Sequence, residues 1–255
     1  MKLHFRLQPA RQPDEGLPVV LLHGLFGSLD NLGVLARPLA QRHQTVQIDL
    51  RNHGLSPHSA ETGYNAMAGD VMALLDELSW HECIIVGHSM GGKVAMTLTE
   101  KMPDRIAALV VIDIAPVAYA TRHHDQVFQA LERVTAAGVT QRSEAAQIMR
   151  GMIDSEPTIQ FLLKSFSPNG WRFNLDALHE SYPALMGWRE VPPWNGPALF
   201  IRGGLSPYLD ESYGEAIRRQ FPRARAHVVA GAGHWVHAEK PDAVNRAIDR
   251  FLTDI

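Results

Sequence analysis

The stretch CIIVGHSMGGKVAMTLTEKM, from Cys83 to Met102, changes its hydrophobic period at its centre. Cys83-Ile84-Ile85-Val86 is a continuous apolar run, the pattern of a strand covered on both faces, whereas Val94, Ala95, Leu98 and Met102 recur at helical spacing. The change falls on Gly87-His88-Ser89-Met90-Gly91, so a strand must turn into a helix within a few residues. A turn that sharp leaves no room for side chains two residues before and two after its apex, and the two glycines meet that requirement. Ser89 is the apex, its hydroxyl held clear of the turn, with the Met90 N–H in the first helical turn beside it. The spacing therefore predicts Ser89 as a nucleophile and Met90 as an oxyanion donor, with Gly92 letting the helix pack close to the sheet.

A strand covered on both faces needs neighbours of its own kind. Val19–Leu22 runs into His23-Gly24, Thr45–Asp49 follows, Ala107–Ile112 ends at Asp113, and Ala198–Ile201 and Ala226–Val229 repeat the pattern near the end. Helical stripes over Leu29–Arg42, Tyr64–Leu78, Leu209–Phe221 and Pro241–Leu252 alternate with them. Lys2–Gln8 reads as a further strand and Pro9–Pro18 as a polar turn. This alternation is the signature of an α/β protein, a mostly parallel twisted sheet flanked by helices on both faces. Between Pro116 and Pro193 it stops, and helical periods follow one another over His123–Ala137, Arg142–Ile153 and Thr158–Phe166. The expected organisation is a core domain of residues 1–115 and 194–255 with a helical cap, 116–193, inserted into it. The aromatics of the insertion, Phe128, Phe161 and Trp171 among them, either form its own core or line an apolar pocket facing Ser89, and both roles fit together.

Composition narrows the partners. A net charge of −3 without basic runs gives no reason to expect nucleic acid or an acidic membrane surface. Cys83 is the single cysteine and lies in the expected buried strand, so no intrachain disulfide forms and a reducing compartment suits the chain. No stretch has the apolar core of a signal peptide or the length of a membrane span, and the cytoplasm is the expected location. His123-His124-Asp125 is the nearest approach to a metal cluster, but adjacent residues on a helix point apart. The expectation is no metal, no cofactor, and a small molecule as the partner.

A serine hydroxyl needs a base within hydrogen-bond reach. Of thirteen histidines, His234 follows Gly231-Ala232-Gly233 just after the last strand, late enough for the chain order serine, acid, histidine. His23 and His88 sit inside glycine motifs, where fixing loop geometry is the expected role. The loop His23-Gly24-Leu25-Phe26-Gly27 also follows a core strand, which brings the Leu25 N–H forward as the second oxyanion donor.

Taken together, His23-Gly24-Leu25, the D-x-R-x-x-G-x-S loop of Asp49, Arg51, Gly54 and Ser56, the run Gly87–Gly92, and Gly231–Trp235 resemble the α/β-hydrolase superfamily over essentially the whole chain. The longer stretches HGLFGSLDNLG, DLRNHGLSP, VVIDIAPV and AGAGHWVHAEKP are similar to small bacterial esterases within it. The resemblance implies hydrolysis of short acyl esters and of acyl-thioesters such as acyl-CoA, without a cofactor, under a helical cap. The residues alone imply a serine acyl hydrolase working through an acyl-enzyme. Carbon–carbon bond hydrolases and cofactor-free perhydrolases resemble the same fold and triad and stay open as alternatives, as does, more remotely, a ligand-binding receptor on this fold.

One position departs from the superfamily pattern. Where most members carry the acid in a G-x-x-D loop after the penultimate strand, this chain has Ser206. Asp113, ending the strand after the nucleophile strand, and Asp210, four residues beyond Ser206, are the substitutes, and the more rigid strand end favours Asp113. Ser206 is then expected to hydrogen-bond the acid or the histidine. Substrate identity is less constrained: residues 116–193 hold seven basic and eight acidic side chains, so no cradle for the CoA phosphates stands out.

Overall fold

The apolar runs assemble into one sheet. In the computed structural model, which describes residues 1–12 and 16–255, the strands in chain order are β1 (Phe5–Gln8), β2 (Val19–Leu22), β3 (Thr45–Ile48), β4 (Cys83–His88) and β5 (Ile106–Ile112), then the short β6 (Phe166–Ser167) and β7 (Gly170–Trp171), which pair only with each other, then β8 (Ala198–Gly203) and β9 (Ala224–Val229). The main sheet has the order β1-β3-β2-β4-β5-β8-β9, parallel throughout except for β1 against β3. Every residue of β2 and β4 is buried, which is why their sequences are continuously apolar and not alternating. Edge strand β9 is largely solvated, so its polar start, Ala224-Arg225, lies outside the apolar stretch expected to begin at Ala226. The turn expected over Pro9–Pro18 includes residues 13–15, which lie outside the described residues.

The helices are α1 (Gly33–Leu39), α2 (Tyr64–Glu77), α3 (Met90–Lys101), α4 (Asp125–Ala137), α5 (Arg142–Arg150), α6 (Glu156–Leu163), α7 (Leu175–Met186), α8 (Gly214–Gln220), α9 (Val236–Glu239) and α10 (Pro241–Thr253). Val20, Leu22 and Ile85 point into one core with Val71 and Leu75 of α2 and Val94 of α3, while Val19, Leu21, Ile84 and Val86 point into a second with Leu35 of α1 and Ile248 of α10. The period-two alternation of strand side chains is thus used on both faces. No helix among the described residues is long and apolar enough to cross a membrane.

Several boundaries differ from expectation. The helix expected over Leu29–Arg42 opens with a 3₁₀ turn, Leu29–Leu32, and that expected over Leu209–Phe221 begins only at Gly214, after a 3₁₀ turn at Glu211–Tyr213. Pro157 does not break α6; it stands in the first turn, where its missing N–H has no intrahelical role. Helix α7 is not foreseen by the apolar spacing, with Pro183 inside its last turn.

Between β5 and β8 lie α4–α7 and the β6–β7 hairpin. Their aromatics meet the core: Phe26, from the loop after β2, has its ring centroid 5.1 Å from those of both Phe128 and Phe173, and Trp171 stacks on Phe173 at 5.3 Å. These aromatics are core, while Phe161 of α6 reaches the cavity beside Ser89.

Candidate active site

From β2 the chain passes to β3 on one side and β4 lies on the other, so the carboxyl ends of β2 and β4 flank the point where strand order reverses, the place where crevices form in open α/β sheets. Ser89 stands there with φ 53° and ψ −119°. A side-chain-bearing residue in such a region costs of order 1–3 kcal/mol, and the surrounding contacts impose it. A Cβ on Gly87 would lie 2.3 Å from the Gly91 carbonyl oxygen, and one on Gly91 would lie 2.3 Å from that of Leu22. Only glycine permits the approach.

His234, on the loop between β9 and α9, places Nε2 2.9 Å from Ser89 Oγ and Nδ1 2.7 Å from Asp113 Oδ2. Asp113 directly follows β5, is fully buried, and has φ 56°. Its Oδ1 accepts the Gly203 N–H at 2.9 Å, and its Oδ2 also accepts a short hydrogen bond from the Ser206 hydroxyl. Three donors replace water around this carboxyl group. A carboxylate only accepts, so the Nδ1 of His234 carries the proton and Nε2 turns a lone pair to Ser89.

Ser206 accepts the Tyr208 N–H at 3.2 Å and gives its own proton to Asp113. Asp210 is turned elsewhere: it accepts the Ser212 N–H at 2.8 Å and caps the 3₁₀ turn Glu211–Tyr213, and these bonds from Ser212 hold its carboxyl below the usual range. The geometry therefore brings Asp113 to the histidine and gives Asp210 the work of a helix cap.

Residues Gly24–Gly27 form a tight turn closed by the Gly27 N–H on the Gly24 carbonyl at 3.0 Å, with Phe26 at φ 63°. Two buried histidines hold it. His53 Nε2 accepts the Phe26 N–H at 3.2 Å while its Nδ1–H donates to the Arg51 carbonyl at 2.9 Å. His23 Nε2 accepts the Leu50 N–H at 3.1 Å, and its Nδ1–H donates to the Gly24 carbonyl at 2.8 Å. Burial pushes His23 down and His53 to about 3, so both are neutral and able to accept. The N–H groups of Leu25 and Met90 have no partner among the described residues, and both residues wall the cavity at Ser89.

His88 donates Nε2–H to the His234 carbonyl at 2.9 Å, fixing the loop that carries His234. Its ring lies 4.9 Å from that of His234 and 4.4 Å from that of His237. Burial lowers His88 well below the usual histidine range and His237 to about 3, which keeps uncharged rings around His234. Three further residues at the site escape sequence reasoning: Tyr208, whose ring lies 4.1 Å from that of His234; His53, inside the Asp49–Ser56 motif but not singled out; and Lys93, one turn beyond Ser89 on α3. Lys93 is buried, and burial lowers its amine to about 7. A cavity of about 320 Å³ opens beside the serine, with His234, Trp235, Phe161, Thr158 and Gln126 among its walls.

A serine on a glycine-bracketed turn, hydrogen-bonded in line to a histidine and an aspartate at the carboxyl edge of a parallel sheet, defines a class, and the chain belongs to the alpha/beta hydrolase fold family, whose family model matches residues 18–241. Within it the chain is 54% identical to "Esterase YbfF" of Escherichia coli (strain K12), over 100% of both chains. It is 39% identical to "sn-1-specific diacylglycerol lipase ABHD11" of Mus musculus, over 94% of this chain and 82% of the relative. The solved structure of a marine microorganism esterase superposes with a TM-score of 0.92 at 33% identity, covering 98% of this chain and 99% of that one.

Proposed function

We propose that this protein is a serine hydrolase of carboxylic esters that works through an acyl-enzyme. The observation that carries the reading is the hydrogen-bonded line Ser89–His234–Asp113, with links of 2.9 and 2.7 Å, beside two unclaimed N–H groups. Relatives named as esterases and lipases support it. Ser89 Oγ attacks the carbonyl carbon as His234 Nε2 takes its proton, and the Leu25 and Met90 N–H groups receive the negative oxygen. Collapse breaks the bond to the leaving oxygen, which takes the proton from Nε2, and leaves an ester on Ser89. Water, deprotonated by His234, then attacks that ester and releases the acid. Asp113 stabilises the imidazolium in both halves and keeps Nδ1 protonated.

Acyl-thioesters, acyl-CoA included, belong to the same proposal, since a sulfur leaving group needs the same attack and oxyanion stabilisation. Residues 116–193 act as a cap, supported by the placing of Gln126, Thr158 and Phe161 in the cavity wall. A reducing compartment such as the cytoplasm fits Cys83, a buried thiol pushed up to about 12. The test is a panel of p-nitrophenyl esters and acyl-CoA thioesters with wild type and Ser89→Ala. The wild type is expected to turn over esters and the variant to lose several powers of ten in rate with its fold intact. Ester turnover unchanged by Ser89→Ala would overturn the reading.

A further inference from the structure

A second, smaller cavity meets Ser89 from the other side. It holds about 40 Å³ and is walled by Leu25, Met90, Ile114, Lys93 and Tyr64, but not by His234. The larger cavity has His234 and Trp235 in its wall and lacks Met90 and Lys93. In ester hydrolysis the leaving oxygen takes its proton from His234 Nε2, so the leaving group occupies the side that holds His234. The acyl chain is left with the small cavity.

What ends that cavity is unusual. Tyr64 of α2 donates its hydroxyl to the Leu185 carbonyl at 2.5 Å, and Lys93 Nζ donates to the carbonyls of Gly187 at 2.9 Å and Met186 at 3.3 Å. These are carbonyls at the C-terminus of α7, which lack intrahelical partners and attract a cation. The lysine also sits 4.9 Å from the Tyr119 ring centroid and 5.8 Å from that of Trp188. Beyond this plug lies an outer cleft of about 330 Å³, whose wall includes Tyr64, Thr97, Gly187 and Trp188. Tyr64 faces both spaces.

The geometry points to Lys93 and Tyr64 as the acyl-length stop: together they tie α2 and α3 to the end of α7, wall the small cavity that Ser89 also lines, and restrict the enzyme to short acyl groups. This rests on the ester hydrolase reading above. Room of about 40 Å³ is only a few times the roughly 10–15 Å³ that one water needs, and each methylene that does not fit lowers kcat/KM by about 10-fold or more.

The experiment compares kcat/KM for p-nitrophenyl butanoate and octanoate, which share a leaving group, in wild type, Lys93→Ala, Tyr64→Ala and Lys93→Met, each checked for folding by circular dichroism. Wild type is expected to prefer butanoate by at least about tenfold. Lys93→Ala and Tyr64→Ala join the cavity to the outer cleft and are expected to raise the octanoate-to-butanoate ratio by about tenfold or more, while Lys93→Met, similar in bulk, keeps the wild-type ratio. Because Tyr64→Ala removes the partition from a different helix, it decides the matter if Lys93→Ala does not fold. A wild type indifferent to chain length, or folded alanine variants with an unchanged ratio, overturns the stop even where Ser89 dependence upholds ester hydrolysis. Activity that survives Ser89→Ala refutes the hydrolase reading itself.

Discussion

The carboxyl group that faces His234 directly follows the strand next to the one that leads into Ser89, and Ser206, at the position where the superfamily pattern has its acid, is a donor to it. The consequences are ranked. Asp113→Asn can no longer hold the imidazole in the tautomer that accepts from Ser89, and is expected to cost kcat roughly 10⁴-fold. Ser206→Ala removes a hydrogen bond to a buried charge, a loss of about 1.5–3 kcal/mol and so between about 10-fold and 100-fold in rate. Asp210→Asn touches only the cap of a 3₁₀ turn and is expected to leave kcat within about twofold. Steady-state kinetics on the three variants give the order, and a crippled Asp210→Asn beside an active Asp113→Asn would contradict it. Much of this was legible because the signals are local: Gly87, Ser89 and Gly91 specify their turn by sterics alone, and Asp113 ends an apolar run. The choice between Asp113 and Asp210 was only partly so, since which carboxyl reaches a histidine 121 residues away depends on how the strands line up.

At the level of elements, the turn Gly24–Gly27 is held by a ring from another loop. His53, after β3, takes the Phe26 N–H and so holds the turn that carries the neighbouring Leu25, which shares a cavity wall with Ser89. His53→Ala leaves a buried donor unpaired, at a cost of about 1–3 kcal/mol, and frees the turn. It is expected to lower kcat by about 10-fold to 100-fold with KM nearly unchanged, because an oxyanion donor acts in the transition state. A rise in KM at constant kcat would place the role of His53 in substrate binding instead. The β-strands were readable because burial on both faces makes them uniformly apolar, whereas α7 hides behind Pro183 and the two-residue strands β6 and β7 are too short to leave a periodic trace.

Across the whole molecule, neutral histidines are built into the interior. His23, His53, His88 and His237 are buried and His124 is half-buried, all with values below 6.5, and those of His53, His124 and His237 lie at about 3. Because the folded values lie below 6.5, the unfolded chain binds these protons first as pH falls. The stability is complete above about 6.5 and is lost progressively toward 3, at about 1.4 kcal/mol per pH unit for each histidine that has charged only in the unfolded chain. The melting temperature, followed by calorimetry from neutrality to mildly acid solution, is expected to fall steeply once the pH drops below about 6. His237→Phe, which removes a ring nitrogen, Nδ1, with no hydrogen-bond partner among the described residues, is expected to make that fall shallower. A melting temperature independent of pH over this range would contradict the burial of these rings in neutral form. None of this could be read from thirteen histidines in a sequence, since burial is a property of the assembled fold. The most direct measurement is covalent labelling with a fluorophosphonate, mapped by peptide mass spectrometry and followed by residual ester hydrolysis. One equivalent is expected on Ser89, with activity lost in proportion; label on a different residue, or a fully labelled Ser89 with turnover intact, would contradict a serine nucleophile at this site.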